Sequence, residues 1–201
     1  ASYQRFVVPP GEGWASRRAR ELRYRVLLTP VSTDVVFAAA VPREVIGRMR
    51  MLNHDQTESL HSPGHSFMPF SYEVVSDIGI PSPAELRGAP AEYTEDFRRV
   101  YLQLPQLDPR IAALARETTA QAATPYDKAV AVEQYLRNRL TYSLNPSGIT
   151  PDNPIGSFLF EAKSGYCEYF AAAMTVMLRG EGVPARIVNG FQAGTYNRVG
   201  K

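Results

Sequence analysis

The sequence predicts an α+β protein in which strands come first and helices follow. Two observations carry that prediction. β-Branched and aromatic runs punctuated by proline fill the first 80 or so residues, and the second half opens on paired helix-start signals, Asp108–Pro109 and Thr124–Pro125. A third sets the organisation: between the two halves lies a stretch of Pro, Gly and charge without clean periodicity.

RYRVLLTPV (23–31) and TDVVFAAAV (33–41) read as strands, with Pro30 and Pro42 as their stops. VIGRMRML (45–52) partly alternates, and SFMPFSYEVVSDI (66–78) is a further strand; NHDQTESLHSPGHS (53–66), polar and turn-rich, reads as the loop between them. Residues 1–80 are therefore predicted to form a small antiparallel accessory β domain. PSPAELRGAPAEYTED and the tether YLQLP belong to a linker over 81–105, leaving 106–201 as the helical domain.

Asp108 caps a first helix with Ile111, Leu114, Ala115, Thr118 and Ala122 on one face. Thr124, Pro125 and Asp127 repeat the pattern, with Asp127 in the position of a capping-box partner and Ala129, Val132, Leu136 and Leu140 as the buried stripe. Asn153–Pro154 begins a short third helix with Ile155, Phe158 and Leu159 inward. A fourth begins at Cys167, shows Phe170, Ala173, Met174, Met177 and Leu178 at helical spacing, and ends at Gly180 and Gly182. VPARIVNGF (183–191) reads as a buried strand that follows it.

The 201 residues are 44% hydrophobic and 21% charged, the balance of a folded globular chain rather than a disordered or fibrous one. A formal net charge of +2 gives no ground for a nucleic-acid partner, and the densest basic group, RRARELRYR (17–25), reads as a solvated face. His54, His61 and His65, with Asp55 and Glu58 nearby, match no metal-binding spacing and read as solvated loop histidines; neither a metal nor a cofactor is expected. Trp14 and the scattered tyrosines read as core or interface residues rather than a carbohydrate platform. No apolar run approaches the length of a membrane span, and no secretory signal opens the chain. It begins on Ala and closes on GTYNRVGK, the look of a piece of a longer protein.

One residue invites chemistry. Cys167, in SGYCEYFA (164–171), is the only cysteine, which excludes an internal disulfide and any multi-cysteine metal site. At the start of a helix, unpartnered N–H groups and the macrodipole favour an anionic sulfur, the form that attacks carbon and binds metals. Gly165 permits a tight turn and close approach of a substrate backbone. The competing reading is that the thiol packs as a small apolar group among its aromatic neighbours. Glu168 argues for a partly open helix start, yet its charge opposes an anionic sulfur unless the side chain points away. A nucleophilic cysteine needs a base, and all three histidines lie far back in the β half, so from the residues both readings stand.

FLFEAKSGYCEYFAAAMTVMLRGEGVPARIVNGF (158–191) resembles the transglutaminase-like superfamily, in particular the bacterial membrane-anchored protein-glutamine gamma-glutamyltransferases. The matching positions are Lys163, Gly165, Cys167, Phe170 and Ala171, then Gly182, Val183, Pro184, Ala185 and Arg186; AVEQYLRNRLTYSLNP (131–146) matches the segment ahead of them. The resemblance covers about 106–201. It implies a truncated papain-like core in which the cysteine leads a central helix. It also implies a Cys-His-Asp set, of which only Cys167 has a counterpart; the His and Asp would lie beyond Lys201, so the chain as cut is expected to be inactive.

The activity implied is acyl transfer from a glutamine carboxamide through a thioester to a lysine amine or water. The implied partner is a protein or peptide bearing glutamine and possibly lysine. Tyr166 and Gly165 become candidates to bind substrate, the Cys167 N–H to hold the oxyanion, and Ser164 to cap the helix. The implied setting is an extracytoplasmic domain, periplasmic or cell-surface, anchored through membrane segments absent from this chain. Two other readings remain: a cysteine peptidase or amidase of the same fold, and a non-catalytic extracytoplasmic binding module.

Overall fold

The computed structural model describes residues 3–9, 20–29, 32–39, 41–55, 57–63 and 70–191, and the chain divides into two compact units, Ala1–Ser82 and Pro83–Lys201. Strands occupy the first and helices dominate the second, so the fold is mixed α+β with an antiparallel sheet.

In the first unit β1 (Gln4–Val7), β2 (Glu21–Leu28), β3 (Val41–Gly47), β4 (Asn53–His54), β5 (Leu60–His61) and β6 (Phe70–Asp77) follow one another. Four of them form an antiparallel sheet in the order β1-β3-β6-β2. Alternation decides which side is buried. Tyr72 and Val74 of β6 register with Gly47 and Val45 of β3 and with Val26 and Tyr24 of β2, and together they make the core face. The residues between them carry charge. Arg5 pairs with Glu44 across β1 and β3, and Arg25 reaches Glu73 at 3.0 Å across β2 and β6. The strand expected over 66–78 is β6, its residues 66–69 lying outside the described set.

Two expectations for this unit change. Residues 33–39 and 41 were expected as one strand, but only Val35 makes a bridge, to His61, before β3 begins at Val41. Apolar β-branched residues favour a strand only where a partner edge is offered. Here the segment spends its backbone on single contacts, Val36 N–H to Leu60 O and Ser62 N–H to Asp34 O, both 2.8 Å. The second change is the polar loop of 53–66, which contains the small antiparallel pair β4–β5; the Asp55 carboxylate closes its turn by accepting from the N–H groups of Thr57 and Ser59.

The second unit begins with α1 (Pro83–Arg87) and α2 (Glu95–Tyr101), inside the stretch expected to be a linker. They are held by specific contacts rather than by propensity. Arg87 donates to Asp127 at 2.7 Å and lies over the Tyr126 ring, while Tyr101 is buried and packs against Phe97 with the rings tilted at 55°. Then come α3 (Pro109–Thr119) and α4 (Pro125–Arg139), which start where the proline signals put them. The Asp108 carboxylate accepts from the Arg110 N–H, and Thr124 Oγ1 accepts from the Asp127 N–H.

β7 (Thr141–Tyr142), α5 (Pro154–Gly156) with a wider helical turn over Ser157–Ala162, β8 (Ser164–Gly165) and α6 (Cys167–Gly180) complete the described elements. Ile111 and Ala115 of α3, Val132 and Leu136 of α4, and Ala173 and Met177 of α6 meet in one core with Phe158 at its centre. α6 ends in a Schellman turn: Val183 N–H reaches Leu178 O at 2.9 Å, and Gly182 supplies the left-handed residue at φ 75°.

The expected buried strand over 183–191 is absent. The segment runs on without strand pairing, and Ile187, Val188 and Phe191 are exposed, because no neighbouring strand is offered to it among the described residues. Its entry is tied down through Arg179, whose guanidinium donates to Ala185 O at 2.7 Å and to Gln103 O at 2.8 Å.

Candidate active site

Everything around Cys167 follows from how the chain is brought to the head of α6. The wide turn of Ser157–Ala162 closes at Lys163, which takes a left-handed conformation (φ 50°) and donates its N–H to Phe158 O at 3.0 Å. That reversal delivers β8 alongside β7 in parallel, with Thr141 N–H donating to Lys163 O (2.9 Å) and Ser143 N–H to Gly165 O (2.8 Å). Two backbone hydrogen bonds therefore clamp the residues just ahead of the cysteine.

Gly165 is buried against two aromatic rings. A Cβ there would lie 2.8 and 2.9 Å from Cε2 and Cδ2 of Phe158 and 3.0 Å from Cδ2 of Tyr169. Only glycine fits under these rings without displacing them. Ser164, expected to cap the helix, is instead held in β8; the cap position belongs to Tyr166, two residues on, which is extended and offers no side-chain cap. The Tyr166 carbonyl accepts from the N–H groups of Tyr169 (3.0 Å) and Phe170 (3.4 Å).

Cys167 is the first residue of α6, and it is exposed. The first turn keeps its N–H groups without a capping side chain, and Glu168 follows it, also exposed. Acidic residues in a first turn complement the helix dipole. A site with an open thiol, uncapped amides and a helix start can present sulfur to a carbonyl carbon and donors to the oxygen.

The ring of residues around this turn is aromatic. Phe158 packs against Tyr169 (centroids 5.6 Å) and edge-on to Phe170 (5.1 Å). Tyr166 meets Tyr169 edge-on at 4.8 Å, and Tyr142 of β7 lies 6.3 Å from Phe170. The Tyr166 hydroxyl is held above the ordinary phenol range, chiefly by its hydrogen bond with Tyr169. Tyr142 was read only as part of the matching segment 131–146 and given no place in the site, because one tyrosine on a two-residue strand carries no periodicity.

Behind the turn the scaffold is fastened by charge. Arg110 pairs with Asp108 at 2.7 Å and with Glu161 at 2.8 Å, and lies 4.4 Å over the Phe160 ring. Asp108 also accepts from Asn153 Nδ2 (3.0 Å), which joins the head of α3 to the head of α5. The Arg110 hydrogen bonds hold the Asp108 carboxyl well below the usual carboxylate range. At the far end of α6, Glu181 accepts from Thr119 (3.1 Å) and from Lys128 (3.4 Å), which joins α3, α4 and α6.

The histidines lie in the other unit. His61 Nδ1 is 3.1 Å from Asp34 and Nε2 is 3.3 Å from Asp55; the Asp34 hydrogen bond raises its pKa. His54 is on β4, and His65 is outside the described residues. Among the described residues no three such side chains are grouped to hold a metal ion. The unit that carries Cys167 contains no histidine in its sequence.

Residues 112–200 match the family model of the transglutaminase-like superfamily. The chain is 33% identical over 188 residues to a protein-glutamine gamma-glutamyltransferase of Pseudomonas aeruginosa, covering 92% of this chain and 26% of that protein. It is 32% identical over 184 residues to the uncharacterized protein YebA of Bacillus subtilis, covering 88% of this chain and 25% of that one. Among solved structures, it is similar to the periplasmic domain of TgpA from Pseudomonas aeruginosa, with a TM-score of 0.76 at 30% identity over 96% of this chain and 65% of that one. The same domain bound to ethylmercury gives a TM-score of 0.75. The chain thus spans about a quarter of the length of the curated relatives it matches.

Proposed function

Residues 112–200 belong to the transglutaminase-like superfamily, and from that premise we propose that Cys167 is the nucleophile of a protein-glutamine acyltransferase. The observation that carries the proposal is the exposed thiol at the first residue of an uncapped α6, with its backbone pinned from β7.

In the proposed reaction the Cys167 thiolate attacks the carboxamide carbon of a glutamine side chain. The oxygen takes up negative charge, stabilised by the Cys167 N–H and the dipole of α6. The C–N bond then breaks as the nitrogen accepts a proton, ammonia departs, and a thioester remains on sulfur. A lysine amine attacks the thioester carbonyl and expels the thiolate, leaving an amide cross-link; water in the same place leaves glutamate. Proton transfers in both halves need a base and an orienting acid, which we assign to a His and an Asp, and the unit that carries Cys167 has no histidine among these 201 residues to fill the first role. The similarity of 92% of the chain to a glutamyltransferase supports this reading over that of a binding module. Membership of a periplasmic domain in the similar solved structure supports an extracytoplasmic setting, and no helix among the described residues is long and apolar enough to cross a membrane.

The test uses the full-length parent protein, a glutamine-containing acceptor-free peptide and a fluorescent primary amine. Amine incorporation that disappears in Cys167→Ala supports acyl transfer. Ammonia release without incorporation makes it an amidase, and neither reaction at any amine concentration removes the enzyme reading.

A further inference from the structure

Tyr142 is the one ring of the aromatic group at the head of α6 that the fold leaves open: 60% of it is exposed, while Phe158 is fully buried and Tyr169 and Phe170 are partly so. Its backbone is not loose. Its Cα registers with Gly165, and the hydrogen bonds from Thr141 and Ser143 on either side tie it to the residues four and two positions ahead of Cys167. Its ring lies 6.3 Å from that of Phe170, which is one turn below Cys167 and on the same face of α6. Leu144, two residues on, is 72% exposed. An isolated exposed tyrosine needs no explanation. Tyr142 is different: two flanking hydrogen bonds tie it to the strand that leads into Cys167, and its ring lies near Phe170 on α6.

We infer that Tyr142, continued by Leu144, is a shelf that determines which acyl donor is used, by packing an apolar or aromatic residue next to the reacting glutamine in the donor peptide. The inference rests on the reading of Cys167 as the nucleophile. The occupant is a donor side chain rather than a separate partner protein, because the shelf is continuous with the turn that bears the sulfur. A peptide whose carboxamide reaches Cys167 must lay its neighbouring residues across the mouth of that turn. An aromatic face there rewards flat apolar groups and gives an anionic residue no partner.

The experiment compares two reagents on the folded chain: iodoacetamide, which offers only the reactive carbon and amide, and N-benzyliodoacetamide, which adds one apolar ring. The benzyl reagent is expected to be preferred roughly two- to tenfold over iodoacetamide, relative to the same ratio on the urea-unfolded chain. Tyr142→Phe keeps that preference, and in Tyr142→Ala the ratio of the two rates falls to that of the urea-unfolded chain. Circular dichroism at 222 nm confirms that each variant is folded, and Tyr142→Leu, which keeps apolar bulk without the ring, serves as a second variant with an intermediate preference. No benzyl preference in the native chain, or a preference that survives Tyr142→Ala, overturns the shelf. Equal loss in Tyr142→Phe assigns the effect to the hydroxyl and overturns it too. If iodoacetamide itself reacts only after unfolding, it is the nucleophile reading that fails.

Discussion

Replacing Gly165 by alanine tests how the cysteine turn is held. The new methyl would sit 2.8–2.9 Å from two carbons of Phe158 and 3.0 Å from one of Tyr169, well inside ordinary carbon–carbon contact. Neither ring has room to give way. Phe158 is fully buried and is braced by Tyr169 at 5.6 Å and Phe170 at 5.1 Å, while the Gly165 backbone is fixed by its carbonyl's bond from Ser143. Inserting a carbon into such a core costs about 1–3 kcal/mol. For a unit of this size in urea, with a slope of about 1.5 kcal/mol per molar, the midpoint falls by about 0.7–2 M. Circular dichroism at 222 nm is the right probe, since every described helix lies in Pro83–Lys201. Pairing the change with Phe158→Leu should be less harmful than the sum of the two by at least about 0.5 kcal/mol, because the smaller side chain makes space for the methyl. A midpoint unchanged in Gly165→Ala, together with strict additivity in the double variant, would refute ring packing as the reason for glycine. Substrate approach would then become its better explanation.

Other consequences follow from the charges. The carboxyl of Asp108 has a folded pKa below its unfolded value, so its contribution to stability is fully present above about pH 4 and is lost as pH falls below that. Asp108→Asn should flatten the acid limb of a thermal-stability profile of the helical unit and lower its plateau. His61 has the opposite sign: its pKa is raised by Asp34, so the stability it adds is present below about pH 6.5 and disappears as pH rises through its folded value. His61→Gln should remove that dependence from the unfolding of the β unit, read by hydrogen exchange at the paired amides of β3 and β6. Glu168 places a negative charge next to the thiol, and at roughly 6 Å in water one unit charge is worth about 0.7 kcal/mol. Glu168→Gln should therefore raise the ratio of iodoacetate to iodoacetamide labelling at Cys167 by about threefold at low salt, with the gain shrinking as salt is added.

The helices that were legible in the sequence are those long enough to repeat. α3, α4 and α6 run 11, 15 and 14 residues, and the first two carry a cap and a proline at their starts. α1 and α2, at 5 and 7 residues, complete too few turns to show a stripe, and they are held by the Arg87–Asp127 pair and the Phe97–Tyr101 ring contact, which no local pattern reveals. Strands were legible where β-branched residues coincide with a partner. TDVVFAAAV and VPARIVNGF have the composition of strands and lack the partner, and composition cannot report what lies alongside. β1 (QRFV) was the reverse case, four residues with weak alternation that are recruited by the edge of β3.

At the site, the position of Cys167 at the first residue of a helix was readable from the Ser-Gly turn and the periodicity after it. Its surroundings were not. Ser164 looked like a cap because it is a good capping residue, but pairing with Thr141 draws it into β8 and passes the cap position to Tyr166. The clamp between β7 and β8 joins residues more than 20 apart, and neither strand exceeds two residues, so nothing local showed that Tyr142 pairs with Gly165 ahead of the cysteine.

The most direct measurement is the rate at which iodoacetamide modifies Cys167 in the folded chain compared with the urea-unfolded chain, followed by mass spectrometry at neutral pH. An exposed sulfur at the uncapped start of α6 predicts modification of the folded chain at least as fast as that of the unfolded one, and slowed when salt screens the helix terminus. A folded chain that resists modification, with labelling that tracks the unfolding transition, would mean that Cys167 is a packing residue, and would contradict its assignment as the nucleophile.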